Sequence, residues 1–433
     1  MRRSRAPAQG SRFRKRLADF LIRIPVSRAL RHADFRLLFF GAMLSFTGSQ
    51  IQNVAQGYYV FELTGDKAKL AMVTFFFTIP VLFLAPFSGA IADHVDRRKA
   101  MIASLVASAA GAAILAVGYH WKWLTYEMIL AISFMNGIVQ TVEAPARQSV
   151  VRTVVGDEDL PYAVPAQAMT FNLSRIFGQA LGGVIASIWG VEACFFINAI
   201  SFAALIWAVV RIRADLRPKK GELGPISDLL LDGIRYTFRH IGLRTLFLME
   251  TATAIFGMFY ISLMPAIANQ KIGDKPIHLG FAQSAIGIGA LTGLSVISWL
   301  SGKTPRPLLT RIAMTNVSIG LMLLSLVNHS WIVYPILGLV GMSTIMQFNT
   351  TNILFQLMSP ENLRGRVISM HLWAISGLAT LGIPIFGQIA QRVSLDRALL
   401  VGGAILAAFS VWAWGAHGRV QDPMSAIEEG GAA

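Results

Sequence analysis

Charge is scarce in this chain. Only 14% of its 433 residues are Asp, Glu, Lys or Arg, against about a quarter in soluble domains. With 54% hydrophobic residues and a mean hydropathy of +0.56, the chain falls outside the ordinary soluble classes, and its length cannot be divided into soluble domains. Cysteine is nearly absent. The single Cys194, inside an apolar run, can build neither a disulfide framework nor a thiolate metal site, and reads as a small packed residue. No paired histidines or acid clusters suggest a metal, and no cofactor is expected. There is no GxxxxGK[ST] loop, which argues against ATP hydrolysis within the chain. No serine stands in the strand–turn–helix setting of a hydrolase nucleophile, so an enzyme is not expected. The ten-residue alternation of a membrane β-barrel is missing too. A cleavable leader is not expected, because the apolar stretch from Leu17 to Val26 is broken by Asp19 and Arg23.

What the chain has instead is a series of long apolar runs. Crossing about 30 Å of hydrocarbon at 1.5 Å per residue takes roughly 20 mostly apolar residues. Runs of that kind lie near 37–62, 68–91, 100–119, 125–146, 163–188, 192–211, 244–268, 279–300, 308–327, 331–357, 366–390 and 395–416. In lipid each must satisfy its own backbone, so they are expected to be helices. The formal charge of +15 would point to nucleic acid in a soluble protein. Here the basic residues fill the short gaps between runs, and no nucleic-acid partner is expected. With the N-terminus in the cytoplasm, 30 of the 38 Lys and Arg fall on the cytoplasmic side, 7 on the other, and Arg175 alone inside a span. That partition follows the positive-inside rule. It places both termini in the cytoplasm and makes the number of crossings even.

The gaps divide the chain into a basic N-terminal segment (1–35), a first bundle of six spans (36–211), a linker (212–243), a second bundle of six (244–416) and a tail (417–433). Within the linker, Ile226, Leu229, Leu230, Gly233, Ile234 and Phe238 can share one apolar face, which reads as an amphipathic helix on the cytoplasmic surface. A weak repeat matches Leu160 to Leu363, each lying after the fourth span of its half. Repeated halves mark transporters that rock about a central site.

After the second span comes Gly89-Ala-Ile-Ala-Asp93-His-Val-Asp96-Arg97-Arg98-Lys99. This resembles the loop signature between helices 2 and 3 of the major facilitator superfamily: a glycine, an acid four residues on, then paired basic residues. His94 and Asp96 depart from it, standing where the superfamily often has arginine and glycine. The resemblance implies a gate in which Asp93, with Arg97 and Arg98, meets the start of a helix in the other half near Arg364 and Arg366. Leu63-Thr-Gly, Pro145-Ala-Arg147-Gln148, Asn172-Leu-Ser-Arg175 and Arg364-Gly-Arg366-Val look like the enterobactin-exporter and macrolide-efflux-like branch, over residues 30 to 416. That branch implies export, usually against protons. Gly178-Gln-Ala-Leu-Gly182-Gly183 is similar to the antiporter signature of the fifth span, with Gln179 where a proline is expected.

Ionisable groups inside a membrane are costly and therefore candidates for function. Arg175 sits midway along the fifth span, with Asn172 and Gln179 on its face as possible hydrogen-bond partners. Glu143 and Glu250 are candidates for its partner or for the proton carrier; the plainer reading of Glu143 is an i,i+4 pair with Arg147, and that of Glu250 a group near the cytoplasmic end. Ser45, Ser49, Gln52 and Gln56 form one polar stripe on span one, and Ser133, Asn136, Gln140 and Glu143 another on span four. In the superfamily spans 1, 4, 7 and 10 line the cavity. The resemblance therefore makes Gln52, Gln56, Asn136, Gln140, Tyr260 and Gln347, with Asn172, candidate cargo contacts. The alternative for each is an interhelical hydrogen bond, worth about 0.6 kcal/mol. His371, one turn inside span eleven, can change charge near neutral pH, but is expected to be a packed, hydrogen-bonded histidine.

The expectation is an all-α integral membrane protein with the major facilitator fold, twelve transmembrane helices in two six-helix bundles. Its expected activity is secondary export of a small drug-like or siderophore-like molecule by alternating access, against protons. The expected partners are the cargo, protons and the lipid bilayer of a bacterial-type inner membrane, with the chain as a monomer. Ion-coupled uptake in the same fold, and a non-transporting membrane effector, remain as rivals at this level.

Overall fold

All regular structure is helical in the computed structural model, which describes residues 28–94, 96–216, 226–300, 303–327, 329–361, 363–420 and 422, with backbone alone for 85–94 and 226–232. Helix α1 (Ala33–Thr64) stops where Gly65 turns left-handed at φ +59°, its N–H closing on the Phe61 carbonyl at 2.8 Å; glycine takes that turn without a Cβ clash. Asp66 then starts α2 (Lys67–His94), accepting from the N–H groups of Ala68 and Lys69 at 2.7 and 3.1 Å. Asp96 does the same for α3 (Arg97–His120), accepting from Arg98 and Lys99 at 3.0 and 3.2 Å. The acid that departs from the superfamily motif is thus a helix cap, satisfying backbone donors that would otherwise be orphaned.

Helix α4 (Tyr126–Arg211) is 86 residues long, but Gly156 (φ 75°, ψ 171°) and Gly190 (φ 84°, ψ 169°) break its backbone. Straight, it would reach about 130 Å, some four times the hydrocarbon thickness. It folds instead into three legs, 126–155, 157–189 and 191–211. Arg147, Gln167 and Thr170 line one small cavity between the first two legs, and Cys194 lies 3.7 Å from the Gly182 carbonyl across the next turn.

A short helix, α5 (Ile226–Arg239), connects to the second half. It is docked: at Gly233 an added Cβ would stand 2.8 Å from the Arg366 carbonyl oxygen. Helix α6 (Ile241–Ala252) then loosens into a π segment (Thr253–Gly257) and a 3-10 turn (Phe259–Ile261) before α7 (Met264–Lys271). Helices α8 (Pro276–Leu300), α9 (Arg306–Leu326) and α10 (Ser330–Leu357) follow. Helix α11 (Arg364–Leu372) passes through a second π segment (Trp373–Leu378) into α12 (Ala379–Arg392), and α13 (Leu395–Gly415) closes the half.

Among the described residues, nine helices are long and apolar enough to cross a membrane, the 86-residue run counting as one and α1, rich in Gln and Ser, not among them. Glycine brings backbones together: a Cβ on Gly289 would lie 1.9 Å from the Gly338 carbonyl, and one on Gly382 2.0 Å from that of Ile255. Such close packing is how helices associate where lipid removes the hydrophobic drive.

The two halves meet along seams at the ends of the helices away from both chain termini. The first joins α8 to the leg 157–189. Ile277 N–H donates to Ser187 Oγ at 3.0 Å, Gly280 abuts the Gln179 carbonyl, and Ser284 Oγ donates to the Ile176 carbonyl at 2.8 Å. The second joins α2 to α12, where Lys67 N–H donates to Gln391 Oε1 at 2.9 Å and Gly387 faces Ala71. Between them, Gly57 of α1 faces Pro265 of α7.

Candidate functional site

Among the described residues, two ionisable features bear on a site. The first belongs to the second half. Glu250 on α6 and His371 on α11 are 0% and 3% exposed, and His371 Nδ1 lies 2.8 and 2.9 Å from the two carboxylate oxygens. The sequence places Glu250 six residues into the span 244–268 and His371 five into the span 366–390, so they reach a similar depth. Both stand immediately before a π segment, Glu250 before Thr253–Gly257 and His371 before Trp373–Leu378. π-Bulges concentrate at functional sites. Phe355 of α10 covers the imidazole, ring centroids 5.8 Å apart. One turn deeper, Gln347 accepts from Thr253 Oγ1 at 2.9 Å and donates to the Met249 carbonyl at 3.3 Å. A carboxylate facing an imidazole nitrogen can hold a proton and give it up. His371 is therefore packed and hydrogen-bonded, and its partner is an ionisable one.

The second feature is Arg175, on the leg 157–189 of the first half. It stands next to Ile176, where the seam with α8 begins, so it occupies the sealed end of the space between the halves. It interacts electrostatically with Tyr260 of the other half, whose ring is fully buried in the 3-10 turn. Neither Glu143 nor Glu250 is its partner. Glu143 accepts from Arg147 Nε at 2.9 Å, and the Arg147 guanidinium lies 4.9 Å from the Phe46 ring centre. Asn172 donates to the Ala168 carbonyl of its own helix at 2.8 Å. Gln179, turned so that its amide is satisfied, donates to the carbonyls of Arg175 and Gln283 at 3.2 and 3.1 Å. The residue standing where the antiporter signature has proline thus ties the Arg175 turn to α8.

Most of the other polar candidates turn inward within one half. Asn198 of the leg 191–211 donates to Gln52 at 2.7 Å; Gln52 donates to Gln56 at 3.4 Å, and Gln56 to Ser133 at 3.1 Å. Asn136 accepts from Ser108 of α3 at 3.0 Å. Gln347 is held as described above. These side chains form interhelical hydrogen bonds, whereas Gln140 is exposed. Around the loop motif, Arg98 donates to the carbonyls of Val210, Ile212 and Ala214 at 3.2, 2.6 and 3.1 Å, closing the end of α4. Arg97 reaches Thr153 Oγ1 at 3.4 Å. Arg364 is exposed at the first position of α11, and Arg366 lies under α5. The surroundings of Gly89 and the side chain of Asp93 lie outside what is described, and with them the gate contact expected of Asp93.

Sequence reasoning passed over the stripe of α1 that faces the other half. Asn53 and Gly57 are one turn apart on it: Asn53 is exposed and Gly57 meets Pro265, whereas Gln50 packs on Gly178 of its own half. The signal was the glycine: small residues mark the face along which helices approach.

Residues 26–423 match the family model described as transmembrane secretion effector. The macrolide efflux protein A of Streptococcus pyogenes is 24% identical over 388 residues, covering 87% of this chain and 94% of that protein. The staphyloferrin A transporter of Staphylococcus aureus is 24% identical over 378 residues, covering 85% and 92%. In three dimensions the chain is similar to a crystal structure of the peptide transporter POT, with a TM-score of 0.75 at 12% identity over 89% of this chain and 94% of that one. That likeness shows the major facilitator fold.

Proposed function

Since the chain belongs to the transmembrane secretion effector family of membrane exporters, we propose that it carries a small organic molecule out of the cytoplasm by alternating access, in exchange for protons. Dividing 126–211 at its two glycines and adding α1 gives twelve crossings. The partition of basic residues supports placing both termini in the cytoplasm. The far-end seams then belong to a conformation open toward the cytoplasm, in which cargo enters.

The observation that carries the coupling is the Glu250–His371 pair. A carboxylate with a neutral imidazole bears one net negative charge, and one added proton cancels it. Burying net charge without compensation is strongly unfavourable. Proton loading therefore stabilises the dry, closed arrangement of the pair, and proton release requires water to reach it. The π segments that begin beside each residue can change register between those two arrangements. Each proton entering down a potential of 100 mV contributes about 2.3 kcal/mol, before any pH gradient.

The cargoes to try are those named for two relatives, a macrolide and staphyloferrin A. In inverted vesicles with an imposed pH gradient, accumulation inside the vesicles is expected, and a protonophore is expected to abolish it. Accumulation indifferent to the protonophore removes proton coupling, and net uptake into intact cells overturns export.

A further inference from the structure

Arg175 is a cation in search of an anion. Its guanidinium has no hydrogen-bond or ion-pair partner among the described residues, and its nitrogens are not sealed from solvent. The two carboxylates that could reach the same body of the bundle are occupied, Glu143 by Arg147 at 2.9 Å and Glu250 by His371 at 2.8 Å. Glu250 lies ten residues from Tyr260 along the chain, about 15 Å if the turn rose as a helix. Tyr260 of the opposite half lies within electrostatic reach of Arg175, and its hydroxyl has no hydrogen-bond partner among the described residues. The Arg175 turn is fixed by Gln179 across the seam, so the cation is positioned rather than free to leave. An arginine held inside a membrane without a counter-ion is unfavourable, and the arrangement is relieved by a ligand that supplies the missing charge.

We infer that the cargo carries an oxyanion, a carboxylate or a group of like geometry, that docks on Arg175 at the sealed end of the cavity with the Tyr260 hydroxyl as a second donor. This rests on the export reading above. Guanidinium offers five N–H donors and no acceptor, in a planar fork that matches two carboxylate oxygens. The site therefore favours an acceptor-rich anion and repels a cation. Because Arg175 belongs to one half and Tyr260 to the other, a ligand bound to both bridges the halves where they already touch. It would help hold the closed end closed until the cargo leaves.

The test uses the full chain in phosphatidylcholine nanodiscs and two probes of the same shape, naphthalene-2-carboxylate and naphthalene-2-carboxamide, with binding followed by calorimetry. The carboxylate is expected to bind about tenfold tighter or more, a ratio that corresponds to one charge-assisted contact. Arg175→Gln is expected to bring the ratio close to one. Equal binding of both probes by the native chain overturns the inference, as does a preference that survives Arg175→Gln. Should Arg175→Gln fail to fold, Arg175→Lys carries the test, since it keeps the charge and loses the fork. A clear fall in the preference is then expected, and an unchanged one overturns the inference. Repeating the native measurement in phosphatidylglycerol nanodiscs separates cargo from lipid: a preference that disappears there means lipid phosphate fills the site, which also overturns it. Failure here is distinguishable from failure of the export reading. Macrolide export without carboxylate preference sinks only the oxyanion, and carboxylate binding without transport sinks only the export.

Discussion

Gly280→Ala tests whether the far-end seam is one state of a two-state gate. The missing Cβ would lie 2.6 Å from the Gln179 carbonyl oxygen and 2.8 Å from the Gly183 Cα, where ordinary contact begins at 3.4 Å. The seam must therefore open by about 0.6–0.8 Å, and backbone atoms on both sides leave no flexible side chain to yield. Overpacking of this kind costs about 1–3 kcal/mol. Applied to the closed seam alone, it reduces the population ratio of closed to open by roughly 5- to 150-fold. The reporter sits on the other seam. Lys67 N–H lies 2.9 Å from Gln391 Oε1, so the pair Lys67→Cys and Gln391→Cys should cross-link when α2 and α12 are closed. The native Cys194 is buried and does not compete. Cross-linking is expected to fall on adding Gly280→Ala, and to be unaffected by Gly365→Ala, whose Cβ meets nothing within 4 Å. Unchanged cross-linking in a well-folded Gly280→Ala protein would refute the reasoning, since the seams would then open independently.

Removing one member of the buried pair should show in both stability and coupling. His371→Leu leaves Glu250 uncompensated and is expected to destabilise the purified chain by about 3–5 kcal/mol, read from denaturation in detergent. Glu250→Gln keeps the shape, and is expected to leave cargo binding while removing the dependence of flux on an imposed pH gradient; retained gradient dependence would exclude Glu250 as the proton site. Asp96→Ala removes the cap of α3 and is expected to cost about 0.5–2 kcal/mol with cargo affinity unchanged, which a thermal melt and a binding titration together decide. Gln52→Leu is expected to cost roughly 0.6 kcal/mol and to change transport little, whereas Asn53→Trp, on the face toward the other half, is expected to block it. Equal flux defects in the two would contradict the assignment of faces.

The spans were legible because the bilayer imposes one strong rule: about 20 apolar residues and an internally bonded backbone. Within the linker expected from the sequence, Ile226–Arg239 is helical as the apolar spacing required. The interruptions were less legible. Between 146 and 163 the chain stays helical on both sides of Gly156, and Pro161 falls near the start of the next leg, so sequence and geometry place the end of the fourth span differently. The π segments, Thr253–Gly257 and Trp373–Leu378, left no signal in the apolar periodicity, which runs through both.

The site was harder, for a geometric reason. Polar side chains in a span announce that they need a partner, but not which side the partner is on. Successive helical residues turn by about 100°, so the stripe containing Gln52 and Gln56 is a single residue step from the one containing Asn53 and Gly57. The first satisfies Asn198 and Ser133 inside one bundle; the second faces the other bundle. Charge resolves what polarity cannot. A neutral amide can be satisfied by any neighbouring donor or acceptor, so its presence in a span is weak information. An acid or a cation has few acceptable partners. In the structure Glu143 contacts Arg147 and Glu250 contacts His371, and Arg175 has no hydrogen-bond or ion-pair partner among the described residues. The cation left unpaired among the described residues is therefore the one on which the oxyanion proposal is tested.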